Sequence, residues 1–256
     1  MDHVNVIIVG AGLSGVGAAA HLVEQCPEKT FTLLEGRAAV GGTWDLFRYP
    51  GIRSDSDMHT LGYSFKPWTQ AKSIADGPSI RDYVNETADE FDIRRHIRFD
   101  HKVQTASWDS TQSHWVLTSN LSDGSTTKIS GDFLFMCGGY YSYDDPHRPE
   151  FPGESRYQGQ VLHPQFWPED LDYEGKKVIV IGSGATAMTI VPSITQKGAQ
   201  VTMVQRSPTY VVSRPAEDKI ANTLRKWLPE KWAYAITRLK NTTLSGYFYR
   251  QTRRQP

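Results

Sequence analysis

The stretch that decides the fold is VNVIIVGAGLSGVGAAAHLVEQC, residues 4–26. It runs from a continuous apolar segment of strand type into the glycine loop GAGLSG, residues 10–15, and then into an alanine-rich segment of helix type. In this setting Gly10 permits a tight turn, Gly12 lets the backbone approach a pyrophosphate, and Gly15 lets the helix pack closely on the strand. The stretch therefore predicts an α/β fold with a dinucleotide pocket at the start of the helix.

The next apolar segment, FTLLE, ends in Glu35. An acidic residue at the end of the second strand of such a unit accepts hydrogen bonds from an adenosine ribose. Glycine turns also occur for purely structural reasons, but here strand, loop, helix, strand and terminal acid follow one another in the expected order. The series as a whole favours a dinucleotide site.

A second copy of the arrangement begins at KKVIVIGSGATAMTIVPSI, residues 176–194, with its glycine loop at residues 182–187. The strand that follows ends in Gln205 and Arg206, at the place where the first unit has Glu35. A carboxylate there would repel a ribose 2′-phosphate, whereas an arginine can bind it. The difference suggests FAD in the first pocket and NADPH in the second. A solvated cation at a strand end is the alternative interpretation of Arg206.

The composition narrows the possible partners. The 256 residues exceed the usual size of one domain, and 28 Lys plus Arg balance 28 Asp plus Glu, so the charge footprint of a nucleic-acid binder is absent. Small molecules are the expected partners. No basic and apolar leader precedes the first strand, which favours a cytoplasmic location. Cys26 and Cys137 form neither a CxxC pair nor part of a metal-ligand cluster, so no metal site is expected.

Between the glycine loops the pattern alternates between loop and strand. Residues 36–60 are rich in Gly, Pro and polar residues, which is typical of a functional loop. Residues 79–93 read as a helix with Ser79 as N-cap. Strands are predicted at residues 96–109, 114–120, 126–130 and 132–139. Val103 lies in the first of these strands, where its backbone could meet an adenine edge.

Four parts are predicted along the chain. Residues 1–140 form an FAD-binding part, residues 141–175 a linker, residues 176–214 the first part of an NADP-binding domain, and residues 215–256 the start of a helical insertion. The last part is basic near its end, which leaves at most a peripheral contact with a membrane.

The linker carries YQGQVLHPQFWP, residues 157–168. This segment resembles the fingerprint FxGxxxHxxxW of type I Baeyer–Villiger monooxygenases, with tyrosine in place of the leading phenylalanine. The long loop adds GGTW at residues 41–44 and YPGIRSD at residues 49–55, which are similar to a second signature of that family. Trp167 and Pro168 favour the Baeyer–Villiger branch over simpler flavin monooxygenases. The resemblance extends over nearly the whole chain.

The resemblance implies two Rossmann-like folds and a set of site residues. Those along FAD would be Gly10, Gly12, Ser14, Gly15, Glu35, Thr43, Trp44, Asp45, Leu46 and Asp55. Those along NADPH would be Arg53, Ser54, Asp55, Gly182, Ser183, Gly184, Ala185, Thr186, Ala187, Met188, Gln205 and Arg206. Asp55 would support an active-site arginine that is expected beyond residue 256, because family members continue past this length. The second fold is accordingly expected to be incomplete and to end in a helical segment.

The fingerprint residues are Tyr157, Gly159, His163 and Trp167. In the resembling family this segment couples the two nucleotide domains, so His163 would act by positioning rather than as an acid or base. A histidine satisfied by the backbone of the linker is the alternative.

The reaction implied is that of an NADPH-dependent FAD monooxygenase. It would insert one oxygen atom from O₂ beside a ketone carbonyl, or onto a soft sulfur or nitrogen, by way of a C4a-peroxyflavin. One alternative is a truncated, catalytically inactive flavin-binding remnant. Another is a flavin disulfide reductase, which would need a redox dithiol that Cys26 and Cys137 do not provide by their spacing.

Overall fold

The computed structural model describes residues 1–207, 211 and 213–254, which form two compact units. The first unit comprises Met1–Tyr49 and Pro78–Leu171, and the second comprises Pro50–Gly77 and Asp172–Pro256. Residues 208–210 and 212 of the predicted NADP-binding part, and residues 255 and 256 of the predicted helical insertion, lie outside the described residues. The sequence-based limits at residues 140, 175 and 214 stay predictions.

A strand, a helix and a second strand follow one another at each glycine loop, as expected for the α/β class. The strands are β1 (Asp2–Val9), β2 (Phe31–Leu34), β3 (Ile97–Arg98), β4 (Lys102–Asp109), β5 (His114–Asn120), β6 (Thr126–Met136), β7 (Lys177–Ile181) and β8 (Gln200–Val204). The helices are α1 (Leu13–Gln25), α2 (Thr43–Leu46), α3 (Met58–Leu61), α4 (Gly77–Glu90), α5 (Ala185–Gln196), α6 (Lys219–Trp227) and α7 (Glu230–Arg254). Short 3₁₀ turns lie at Arg94–His96, Glu154–Arg156 and Pro164–Phe166.

The first unit is built on a six-stranded mixed sheet in the order β3-β2-β1-β6-β5-β4. β1 pairs in parallel with β2 and with β6, whereas β5 pairs antiparallel with β4 and with β6. Every residue of β2 is buried, as expected for a parallel strand covered on both faces. The carboxyl ends of β1 and β2 carry the first glycine loop and Glu35.

Three details of the first unit differ from the sequence-based prediction. The helix predicted to start after Ser79 begins earlier, at Gly77, so Ser79 lies inside its first turn. The strand predicted over residues 96–109 is broken into β3 and β4, because Asp100 has a φ of +57° and turns the chain between them. The two strands predicted at residues 126–130 and 132–139 form the single strand β6, which pairs with both β5 and β1.

The second unit contains a two-stranded parallel sheet, β7 and β8, joined by α5. Burial alternates along both strands, so one face carries the half-buried Val178 and Val180. The opposite face leaves Ile179, Ile181 and Val204 exposed. Alternate residues of a strand point to opposite faces, so a single covered face produces this pattern.

Residues 50–77 are anchored in the second unit by α7. Asp57 is the N-cap of α3 and accepts a hydrogen bond from the Thr60 backbone N–H at 3.1 Å. The same carboxylate accepts a 2.8 Å hydrogen bond from the side chain of Asn241. At the other end of α3, the guanidinium of Arg238 donates to the carbonyl oxygens of His59 and Thr60, at 3.2 and 3.0 Å. α7 thus holds both ends of α3.

His59 is a buried histidine whose titration links the stability of the second unit to pH. The residue is 3% exposed, and its Nε2 has no hydrogen-bond partner among the described residues. Burial lowers the pKa of His59, the charge of Asp57 opposes this effect, and the charge of Arg225 adds to it. Smaller effects on this pKa come from Asp218, which raises it, and Lys240, which lowers it. The folded state therefore prefers the neutral ring.

Acidification is expected to destabilise the second unit through His59. Its contribution is fully present above the ordinary histidine pKa of 6.5, where the ring is neutral in both states. As the pH falls through that value the unfolded chain binds more protons, so stability is lost. Between about pH 7.5 and about pH 5.5, the free energy of unfolding measured by urea denaturation should fall further for the natural chain than for His59→Leu, by at most about 1.4 kcal/mol per pH unit. Equal losses in the two proteins would contradict this expectation.

No helix among the described residues is long and apolar enough to cross a membrane. Within the same residues, no group of three or more His, Cys, Asp or Glu side chains is arranged to hold a metal ion.

Candidate functional site

The first glycine loop depends on the absence of side chains. Gly10 has a φ of +104°, and a β-carbon there would lie 2.5 Å from the carbonyl oxygen of Cys137. A β-carbon on Gly15 would collide with the carbonyl oxygen of Gly10. The two glycines therefore allow the turn after β1 and the close packing of α1 on it, as the sequence predicts.

The start of α1 is open to an anion. Its N-cap is Gly12, and no side chain among the described residues caps this end of the helix. Gly42 packs directly against the loop, because a β-carbon there would lie 2.9 Å from the Cα of Gly12, and its φ is +55°. Gly41 donates its backbone N–H to the Ala11 carbonyl at 3.1 Å. Two glycine pairs thus meet at a helix N-terminus, which suits the close approach of a pyrophosphate.

Glu35 lies behind this loop and is 1% exposed. Its Oε2 accepts the Ala11 backbone N–H at 2.7 Å, and its Oε1 accepts the Arg37 backbone N–H at 3.0 Å. Burial raises the pKa of Glu35, and the two backbone hydrogen bonds, the charge of Arg37 and the hydroxyl of Tyr143 oppose this effect. The carboxylate therefore fixes the backbone on both sides of the pocket.

The Arg37 guanidinium joins Glu35 to the second signature segment. It forms an ion pair with Asp45 at 2.8 Å and lies over the Tyr143 ring, 5.6 Å from the ring centre. Asp45 is also paired with Arg48 at 2.6 Å. The Nη1 of Arg37 is buried without a partner among the described residues, so the site retains one donor for a further acceptor. Tyr143, Arg37 and Arg48 were not singled out from the sequence.

The other residues expected along the flavin take different positions. Thr43, Trp44 and Leu46 are half-buried in the single turn of α2, and Ser14 is exposed in the first turn of α1. The backbone of Val103 pairs with Ser119 beside a bulge in β4. Its side chain packs against the core of the sheet. The contact of Val103 with an adenine stays a prediction.

The fingerprint residues lie in the first unit. The Tyr157 ring covers Gly159, where a β-carbon would collide with it, and Trp167 is half-buried. His163 caps the turn Pro164–Phe166 by accepting the Gln165 backbone N–H on Nδ1, at 3.2 Å. Burial lowers the pKa of His163, and the nearby charge of Arg148 lowers it further. A neutral ring that accepts a backbone hydrogen bond is consistent with a positioning role.

Gln165 lies within the fingerprint segment, residues 157–168, and is a buried residue that the sequence analysis did not predict. Its side-chain amide donates to the carbonyl oxygens of Ser142, at 2.7 Å, and Tyr143, at 3.0 Å. Glutamine is common on protein surfaces, so its identity alone carried no signal. Its burial shows only in the folded chain, where it joins the fingerprint to the segment around Tyr143.

The second glycine loop also begins a bare helix. The N-cap of α5 is Gly184, which has no side-chain cap among the described residues. β-Carbons on Gly182 and Gly184 would find no described atom within 4 Å. Gly182 donates its N–H to the Val204 carbonyl at 2.8 Å, which brings the end of β8 beside the loop. Open space before a bare helix N-terminus again suits a dinucleotide phosphate.

The remaining residues expected along NADPH lie in the same unit. Ser183, Thr186 and Met188 are half-buried, Ala185 is exposed, and Ala187 is buried against the fold. Gln205 and Arg206 follow β8 and are exposed. An arginine at this place can bind a ribose 2′-phosphate, because its guanidinium is exposed to solvent.

The segment Arg53–Asp55 enters the second unit with residues 50–77. Ser54 is buried and donates its backbone N–H to the Ala75 carbonyl at 2.9 Å, whereas Arg53 and Asp55 are exposed. Gly51 packs against α5, because a β-carbon on it would lie 2.7 Å from the Thr189 carbonyl oxygen. The structure thus brings this segment to the helix that follows the second glycine loop.

Comparisons with known sequences agree with this geometry. A model of the flavin-binding monooxygenase-like family matches residues 3–251. The chain is 53% identical over 256 residues to the FAD-containing monooxygenase EthA of Mycolicibacterium smegmatis, covering 100% of this chain and 52% of the relative. It is 47% identical over 257 residues to the probable FAD-binding monooxygenase AlmA of Acinetobacter baylyi, covering 99% of this chain and 51% of the relative. The chain spans about half the length of these curated relatives.

Solved structures show the same likeness. An oxidized steroid monooxygenase bound to NADP matches with a TM-score of 0.75 at 34% identity, over 91% of this chain and 43% of that one. A cyclohexanone-bound cyclohexanone monooxygenase matches with a TM-score of 0.74 at 26% identity, over 88% of this chain and 43% of that one. The predicted α/β fold with Rossmann-like nucleotide-binding parts is confirmed.

Proposed function

The chain belongs to the flavin-binding monooxygenase-like family, and from this premise we propose that it carries the nucleotide-binding machinery of an NADPH-dependent FAD monooxygenase. The observation that supports this most directly is the pair of bare helix N-termini at the two glycine loops. One is backed by the buried acid Glu35, and the other lies beside the exposed cation Arg206. The two pockets therefore differ in the charge that each offers to an adenosine ribose.

In the first pocket, the loop around Gly10, Gly12, Ser14 and Gly15 would hold the pyrophosphate of FAD through backbone N–H groups. Glu35 fixes that loop and would meet the ribose, and the free donor of Arg37 would serve a further oxygen. Thr43, Trp44, Asp45, Leu46 and Val103 would line the rest of the cofactor. Bound FAD would supply the redox chemistry, which is the acceptance of a hydride and the activation of O₂.

In the second pocket, residues 182–188 would hold the pyrophosphate of NADPH at the start of α5. Arg206 would bind the 2′-phosphate and Gln205 would lie beside it. Arg53, Ser54 and Asp55 would position the nicotinamide end, and Asp55 would orient an active-site guanidinium. A fixed guanidinium can stabilise negative charge that develops on an oxygen during attack on a carbonyl. Tyr157, Gly159, His163 and Trp167 would act by positioning.

Ketones are the substrate class that we propose first, because the matched cyclohexanone monooxygenase is bound to cyclohexanone. Soft sulfur and nitrogen centres are the second class, and O₂ is the co-substrate. A disulfide reductase finds no support, since Cys26 and Cys137 do not have the spacing of a redox dithiol.

The proposal is tested by recording the visible spectrum of the purified chain while NADPH is added without oxygen. We expect bound flavin that bleaches, and a half-saturating NADPH concentration that rises about tenfold in Arg206→Ala, because one charge-assisted contact to phosphate is worth about 1.5 kcal/mol or more. NADH should bleach both proteins alike. Arg95→Ala, which removes an exposed arginine of the first unit, is the matched control. Absence of flavin, or equal NADPH dependence in all three proteins, would contradict the proposal.

A further inference from the structure

Residues 53–55, which would position the nicotinamide end of NADPH, lie in no helix or regular strand. Ser54 instead donates its backbone N–H to the Ala75 carbonyl at 2.9 Å, and Gly77 donates its backbone N–H to the Ile52 carbonyl at 2.8 Å. Ser54 and Ala75 are both buried. The position of residues 53–55 is therefore set by the backbone of the segment that lies beside them.

Residues 73–75 of that segment are held in turn by the chain just before α6. Ser73 and Ile74 both donate their backbone N–H groups to the Ala216 carbonyl, at 2.8 and 3.0 Å. The Ser73 hydroxyl donates to the same oxygen at 3.2 Å. The Ser73 carbonyl accepts the Met58 backbone N–H at 2.8 Å. Three layers of backbone thus follow one another, from Ala216 through Ser73 to Met58.

Two side chains of α6 bind the stretch of backbone just before those residues. The guanidinium of Arg225 donates to the carbonyl oxygens of Trp68, at 3.0 Å, and Gln70, at 3.2 Å. It also donates to the side chain of Asn222, whose own amide donates to the Ala71 carbonyl at 3.1 Å. Asn222 and Arg225 lie one turn apart on α6, and we call this pair the α6 clamp.

We propose that Arg225 and Asn222 are positioning residues that fix residues 53–55 for the nicotinamide. The clamp holds the backbone up to Ala71, and this places the residues that follow against the Ala216 carbonyl and against residues 53–55. The series of hydrogen bonds belongs to the chain itself, and only its consequence for the nicotinamide rests on the proposed function. α6 then contributes to the NADPH site through the backbone rather than by contact with the cofactor.

The chemistry of the clamp suits this role. A guanidinium presents its N–H donors in a rigid plane, so it can bind two carbonyls in fixed directions. A hydrogen bond from a charged donor is also stronger than one between neutral groups. Trp68 adds rigidity, because it is buried and its ring N–H donates to the Lys72 carbonyl at 2.8 Å. The clamped stretch therefore has little freedom, although it forms no regular structure.

The test is amide hydrogen exchange at Ser54 and Ser73, which needs no cofactor. Arg225→Lys keeps the positive charge and removes the planar set of donors. Exchange at both positions should become about fivefold faster, which corresponds to about 1 kcal/mol. The Gly182 N–H, at the second glycine loop of the same unit, should exchange as in the natural chain. Arg250→Lys, at an exposed position of α7, is the matched control and should leave all three amides unchanged.

Two outcomes would overturn the role of the clamp. One is exchange at Ser54 in Arg225→Lys equal to that of the natural chain. The other is an equal increase at Ser54 and Gly182, because a residue that merely stabilises the whole unit would speed both. If Arg225→Lys fails to fold, Asn222→Asp keeps an acceptor for Arg225 and removes the donor to Ala71. It should speed exchange at Ser54 about threefold and leave Gly182 unchanged, and any other result would equally overturn the proposal.

Flavin reduction separates this inference from the proposed function. If the natural chain binds flavin, Arg225→Lys should slow the bleaching at saturating NADPH about fivefold, because the nicotinamide end is misplaced. The half-saturating NADPH concentration should stay nearly constant, in contrast to its rise in Arg206→Ala. If the natural chain binds no flavin, the proposed function fails, while the exchange measurement still supports or overturns the clamp. Faster exchange with an unchanged bleaching rate would overturn the part of the inference that concerns the nicotinamide.

Discussion

Gly15→Ala is expected to disrupt the first glycine loop and to leave the first unit without a stable dinucleotide pocket. A β-carbon at this position would collide with the Gly10 carbonyl oxygen and would lie 3.0 Å from the carbonyl carbon. Both obstacles are backbone atoms, so no side-chain rotation can relieve the clash. Overpacking that forces a backbone shift of this kind costs about 3 kcal/mol.

The loss is measured by urea denaturation, together with the flavin that stays bound through gel filtration. Gly246→Ala is the matched control, because its β-carbon would meet no described atom within 4 Å in the middle of α7. Alanine is favoured over glycine inside a helix by about 1 kcal/mol, so the control should be as stable as the natural chain or more so. A urea midpoint of Gly15→Ala equal to that of the natural chain would show that the turn has room for a side chain.

Glu35→Ala is expected to lower flavin affinity by about a hundredfold and to destabilise the first unit by about 2–3 kcal/mol. The change leaves the backbone N–H groups of Ala11 and Arg37 without their acceptor, and buried unsatisfied donors are costly. It also removes the group proposed to meet the ribose. The two losses therefore occur together.

The same variant has a spectroscopic signature at Tyr143. Its pKa is about 12 in the natural chain, through burial first and then through the charge of Glu35. Without that charge, part of the elevation is lost, and the last part of the alkaline rise in absorbance near 295 nm should shift to a lower pH. Asp82→Ala, which removes an exposed carboxylate of the same unit within α4, is the control. Retained flavin affinity and an unchanged tyrosine titration would contradict the role of Glu35.

Local signals in the sequence predict the parts of the site that depend on local geometry. The positive φ of Gly10 and the close packing at Gly15 follow from the order of strand, loop and helix, so the turn after β1 can be predicted with its residues. In the second loop the positive φ of Gly182 follows in the same way. The resemblance to a known family, which the comparisons confirm, supplied the fingerprint residues.

Contacts between distant parts of the chain were not predictable in the same way. The acceptors of the Gln165 amide lie 23 and 22 residues earlier, at Ser142 and Tyr143. No periodic pattern in the sequence predicts these two contacts. Asp57 has the same chemistry as its neighbour Asp55, but only Asp57 is buried, because Asn241 meets it from α7. The break between β3 and β4 arises from one turn residue, Asp100, inside an otherwise regular strand pattern.

Because α7 anchors α3, the contacts of α3 can form only after most of the chain has been translated. The hydrogen bond between Asp57 and Asn241 spans 184 residues. A ribosome that adds about 5–20 residues per second therefore needs about 10–40 s to reach Asn241 after it has made Asp57. Throughout that interval Met58 and His59, which are buried in the finished unit, face water, chaperones and proteases. Residues 50–77 are translated early, but the contacts with α7 that anchor them form late. Translation speed therefore controls how long this segment is exposed.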